Sequence, residues 1–82
     1  MYAESFLLKI LGILDFYTSS ALTSPSALAF IQKIADPQKL NVLVKILVGG
    51  VSRCKTLVLR ILQDLMKFDF PTEIFDGAIH LS

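Results

Sequence analysis

Few side chains in this sequence have the type and spacing for chemistry. His80 is the single histidine. No cysteine, serine or carboxylate stands at a motif spacing from it, so it reads neither as a base nor as a metal ligand. Cys54 is the single cysteine, and Arg53 and Lys55 flank it. Two cations at the start of a helix are the setting that activates a thiol. The simpler reading is a small residue turned toward a neighbouring helix, and it is preferred here. One cysteine excludes a disulfide framework and a multi-cysteine zinc site. The carboxylates are scattered, with no pair spaced for acid–base work. Gly49-Gly50 lacks the G-x-x-x-x-G-K-[ST] frame of a phosphate-binding loop. These residues imply no catalytic group, no metal and no cofactor, and the expectation is a protein that is not an enzyme.

Charge is more informative. From Lys39 to Arg60 the chain carries Lys39, Lys45, Arg53, Lys55 and Arg60 and no acidic residue. Within a helix expected at 52–68, Arg53, Thr56, Arg60, Gln63 and Lys67 recur at spacings of three and four. That spacing puts them on one polar stripe, and these five are the candidate partner-binding residues. A basic stripe matches an acidic segment of a protein partner. The same stretch has an alternative reading. Two helices joined by Gly-Gly-Val mimic a helix-turn-helix, with 52–68 entering nucleic acid. Two features count against it. Leu57, Val58, Leu59, Ile61 and Leu62 make that helix apolar round much of its circumference. The net charge is only +1, whereas nucleic-acid modules carry an excess of positive charge.

The elements that must position this stripe follow from composition and punctuation. The 82 residues are 54% hydrophobic and 18% charged, against about 25% charged in average soluble domains. Such a chain is too apolar for intrinsic disorder. It is also short enough to bury only about 60% of its unfolded surface. Lys9, Asp15 and Lys45 interrupt the most apolar stretches, so no run reaches the length of a membrane span. Glu4 stands where a secretory signal would carry basic residues. The lone cysteine fits a reducing intracellular compartment, the cytoplasm first and the nucleus second.

Glycine and proline divide the chain into five expected helices, at 3–17, 25–35, 37–48, 52–68 and 71–80, with no sheet. Phe6, Leu7, Ile10, Leu11, Ile13 and Leu14 follow helical periodicity in the first. Ser24-Pro25 and Asp36-Pro37 are cap-plus-proline starts. Gly49-Gly50 is expected to stop the third helix through a left-handed glycine, and Ser52 to cap the fourth. Leu43, Leu47, Val58, Ile61, Leu62 and Leu65 are expected to be the best-buried positions, with Gln38, Asn41 and Lys45 on the opposite, polar side. The fifth helix is expected to bury little.

Three segments share a signature: LLKIL at 7–11, LVKIL at 43–47 and VLRIL at 58–62. The stretch from Pro37 to Phe68 reads P-x-x-L-x-x-L-V-x-x-L, a Gly-Gly break, then a long helix with L-V-L-R-I-L-Q-D-L. It resembles the second and third helices of an armadillo/HEAT-type repeat. In that likeness 25–35 is the short first helix, 3–17 the third helix of the preceding unit, and 71–80 the start of the next. The resemblance implies an all-α, right-handed solenoid fragment, residues 1–82 forming one helical domain of a longer array. It also implies a non-catalytic scaffold for protein–protein interaction. Importin-type members carry an asparagine in A-L-x-N-L that clamps an extended peptide. Here Asp64 takes that place within Ile61-Leu62-Gln63-Asp64-Leu65, and Ile13 takes it in the first helix. Without the asparagines, the resemblance implies general protein binding and not recognition of nuclear-import signals.

The helices also carry surplus apolar residues. Leu8, Val42, Ile46, Leu59 and Met66 lie off the main stripes. Five helices cannot cover both sides of each, so neighbouring repeats or self-association are expected to cover the remainder.

Overall fold

The computed structural model describes residues 4–81. Five α-helices follow one another: α1 (Glu4–Ser20), α2 (Pro25–Ile34), α3 (Pro37–Gly49), α4 (Ser52–Leu65) and α5 (Thr72–His80). No strand occurs among the described residues, so the chain is all-helical as expected. The expected start of the first helix at Ala3 lies outside the described residues.

Local chemistry explains the boundaries. Ser24 adopts an extended backbone and its hydroxyl accepts from the Ala27 N–H, while Pro25 occupies the first turn of α2. Asp36 does the same for α3, its carboxylate accepting from the Gln38 and Lys39 N–H groups. Both caps satisfy donors that the first helical turn cannot pair internally.

Elsewhere the boundaries differ from expectation. α1 runs three residues past Tyr17, through the hydroxyl-rich segment expected as loop. Thr18 Oγ1 donates to the Asp15 carbonyl and Ser19 Oγ to the Phe16 carbonyl. The hydroxyls are thus satisfied inside the helix, and Thr18 is buried. α4 ends at Leu65 instead of Phe68. The Lys67 and Phe68 N–H groups bond to the Asp64 and Leu65 carbonyls, so the last turn tightens to i→i−3 spacing. Ser52 is not a cap; Val51 holds that position, without a side-chain bond.

Gly50 ends α3, but no glycine among the described residues has a positive φ. Its backbone is extended, and its N–H donates to the Ile46 carbonyl at 2.7 Å. A Cβ built on Gly50 would stand 2.5 Å from that same carbonyl oxygen. Close approach, not a left-handed turn, is what requires glycine here.

The helices form a slab of 32 × 26 × 17 Å. α1 packs on α2 and α4, and α3 packs on α4 and α5. Leu11, Ile31, Leu40, Leu43, Cys54, Val58, Ile61 and Leu65 are the largest apolar members of the core. Leu47 and Leu62, expected among the best buried, are only half-buried at its edge. Tyr17 of α1 meets Phe30 of α2 with ring centroids 4.8 Å apart. α5 buries more than its sequence suggested. Ala78 is buried, with Ile74 and Phe75 packed against the core, and Gly77 lies where a Cβ would press on Pro37.

Asn41, expected on the polar side of α3, is buried. Its Nδ2 donates to the Ala78 carbonyl. That carbonyl belongs to the last turn of α5, so the bond ties α3 to the end of α5.

Candidate functional site

Helical geometry and the packing of α1 decide what the α4 stripe presents. Arg53, Thr56, Arg60, Gln63 and Lys67 are all exposed, on the side of α4 opposite Cys54, Val58, Ile61 and Leu65, which are buried. The five therefore share one solvent-facing surface. The Thr56 hydroxyl donates to the Ser52 carbonyl.

Each cation of the stripe has a carboxylate neighbour. Arg53 Nη2 lies 2.8 Å from Glu4 Oε2. Arg60 Nη1 donates to Asp15 Oδ2 at 3.3 Å. Lys67 Nζ lies 3.1 Å from Asp64 Oδ1, one helical turn away. The first two pairs cross from α4 to α1. Glu4 and Asp15 ascend α1 in the order in which Arg53 and Arg60 ascend α4, so the two helices run in the same direction.

The pairs are asymmetric. The basic side chains are 76%, 58% and 60% exposed, and their carboxylates only 37%, 19% and 13%. The carboxylates are recessed at the foot of the stripe and the cations stand above them. Asp15 Oδ1 is shielded from solvent and has no hydrogen-bond partner, so its charge is directed to Arg60 through Oδ2. The outermost layer of the surface is cationic although the seam beneath it is close to neutral. Asp64 is one of these recessed anchors.

Lys55 stands apart from the stripe. Two residues along a helix turn a side chain by about 200°, so Lys55 lies on the opposite flank from Arg53 and is half-buried. Arg53, Lys55 and Arg60 do not converge on one face, as entry of α4 into a nucleic-acid groove would require. Cys54 is buried at 1% exposure, beside a cleft that it lines with Leu7, Ile46, Gly50 and Val51. The flanking cations do not open it to solvent. His80 is exposed at the end of α5. No cluster of three metal-ligating side chains occurs among the described residues. Among the described residues no helix is long and apolar enough to cross a membrane.

Two further surfaces are apolar. On α1, Ile10, Ile13 and Phe16 are 40%, 57% and 65% exposed. Their three-residue spacing makes them a ridge along the helix. Between α3, α4 and α5 lies a groove of 170 Å³ with an almost wholly apolar lining, which includes Val44, Leu62, Met66, Phe75 and Ile79.

Glu4 and Asp15 are the neighbours of the stripe that sequence reasoning missed, because nothing local links them to a helix some 45 residues on. Asp64–Lys67 was legible as an i,i+3 pair. Compared with family models, curated proteins and solved structures, the chain matches none.

Proposed function

We propose that this chain is a non-catalytic protein-interaction scaffold of stacked helices, similar to armadillo/HEAT-type repeats. Its α4 stripe receives an acidic segment of a partner protein. The observation that carries this reading is the relief of the stripe: Arg53, Arg60 and Lys67 project to solvent above recessed carboxylates. A cation held from beneath keeps its geometry while it offers its outer donors, so less side-chain entropy is lost on binding. The stacked architecture draws support from α1 and α4, which share a signature, lie side by side and run in the same direction, as successive third helices of a repeat do.

The test is a titration of the 15N-labelled chain with a polyglutamate peptide, followed by NMR. Shifts that centre on Arg53, Thr56, Arg60, Gln63 and Lys67 and fade as salt rises are expected, because exposed charges are screened over about 8 Å at physiological ionic strength. Shifts centred on α2 or α5, or none at low salt, would sink the assignment.

A further inference from the structure

The cations of the α4 stripe keep a fixed step. Arg53, Arg60 and Lys67 follow one another at seven-residue intervals. Leu59 and Met66, both exposed, form a second row with the same step, each one residue before a cation. Thr56 precedes Leu59 by three residues and Arg60 by four, and Gln63 stands in the same relation to Met66 and Lys67. Both therefore lie between the two rows. The Thr56 hydroxyl is folded back on the Ser52 carbonyl, which keeps the floor between the rows low. Seven residues of helix rise about 10.5 Å. The tightened turn after Leu65 lengthens the second step only slightly.

An occupant has to meet that spacing. In an α-helix, side chains seven residues apart return to one face, off by only about 20°, at the same rise of about 10.5 Å. One face of an extended strand repeats every ~6.8 Å, so its nearest carboxylate misses the middle cation by about 3 Å. A polyproline-type segment repeats every ~9.3 Å and falls about 2 Å short by the third cation. The helix alone keeps step with all three, and it offers a second row of its own to Leu59 and Met66.

We propose that the acidic segment received by the stripe, on the reading of the stripe given above, is an amphipathic α-helix of a partner protein that lies along α4. Its carboxylates recur at every seventh residue against Arg53, Arg60 and Lys67, and an apolar row beside them covers Leu59 and Met66. Charge complementarity sets the occupant. Glu4 and Asp15 each engage one guanidinium nitrogen from beneath, and an arginine carries five N–H donors. The partner thus adds carboxylates from above without displacing the resident ones. Three contacts span about 21 Å, which asks for a partner helix of at least about 15 residues.

The experiment titrates the 15N-labelled full chain at low salt with three alanine-rich peptides of about 18 residues, followed by NMR. Polyglutamate, unfolded by its own repulsion, is the charge-only reference. The first peptide carries three glutamates and two leucines, each set at seven-residue steps. The second has the same composition with glutamates five residues apart, which winds them about 140° round the helix per step. The third is the first with two prolines at its centre, which break the helix. The first should shift the stripe residues, gain helicity on binding by difference circular dichroism, and bind about three- to tenfold more tightly than the other two. Equal binding of the first and second, or tighter binding of the third, overturns the helical register and leaves the stripe reading standing. So does polyglutamate at the stripe with no peptide bound there. If polyglutamate also leaves the stripe unshifted, both readings fall. Arg60→Glu should weaken the first peptide, and lysine in place of that peptide's middle glutamate should restore binding. Failure to restore it overturns the pairing, and the three peptides decide on the unaltered chain should the variant lose helicity.

Discussion

Asn41 on α3 donates through Nδ2 to the carbonyl of Ala78 on α5, 2.9 Å away and buried, across 37 positions of sequence. The bond ties the end of one helix to the side of another. Asn41→Ala should destabilise the fold by about 0.5–1.5 kcal/mol, because a buried hydrogen bond between α3 and α5 is lost. Urea denaturation measures the cost. Hydrogen exchange of the α5 amides should accelerate more than that of α1. Equal acceleration in both would mean that the bond does not hold α5 in particular.

The glycines separate by what a methyl group would meet. Nothing lies within 4 Å of a Cβ on Gly12, which is helical and exposed. Gly12→Ala should therefore stabilise by about 0.4–1 kcal/mol, through helix propensity and a less flexible unfolded chain. Gly50→Ala should destabilise, since its Cβ collides with the Ile46 carbonyl. Thermal melts of the two variants should move in opposite directions.

Ile61 is fully buried, whereas Leu62 beside it is half-buried at the groove. Ile61→Ala should cost about 2–5 kcal/mol, the range for a large core side chain cut to alanine. Leu62→Ala should cost less than Ile61→Ala. Chemical denaturation of both variants gives the order directly, and a reversed order would place α4 in a different rotation.

Cys54 should be silent toward a thiol reagent in the folded protein. It is buried with α1 and α3 around it, so modification requires opening. The labelling rate with an aromatic disulfide should rise with urea and follow global unfolding. Fast labelling in native buffer would mean that the α1–α4 seam opens locally.

Reversal of the stripe's charges should leave the fold intact. Arg60→Glu and Lys67→Glu break ion pairs whose basic members are mostly exposed, and such pairs contribute about 0–1 kcal/mol. Circular dichroism should show unchanged helicity, with binding to the acidic probe lost.

What was legible in the sequence was local. Ser24-Pro25 and Asp36-Pro37 announce helix starts because a cap and its target N–H groups lie within three residues of each other. Heptad-like spacing placed Val58, Ile61 and Leu65 in the core for the same reason. Asn41 was misplaced because its partner is remote. Next to Gln38 and Lys45 it looks like one more polar residue, and only the arrival of α5 buries it. The stripe's residues were visible from their spacing, but its relief was not. Glu4 and Asp15 come from a helix whose docking on α4 no local pattern encodes.

The seam between α1 and α4 has a consequence for synthesis. Asp15 and Arg60 lie 45 residues apart, so the inner face of α1 has no α4 to meet until the residues between them have been made. At about 5–20 residues per second, that interval lasts roughly 2–9 s. α2 is available early and shields part of α1 through Tyr17 and Phe30. The rest, Leu7 and Leu11 foremost, waits bare on the nascent chain. Docking of α1 onto α4 thus follows the synthesis of the two helices between them. Mutations in the seam should show themselves in newly made protein as capture by chaperones, before they show in the melting temperature of what survives.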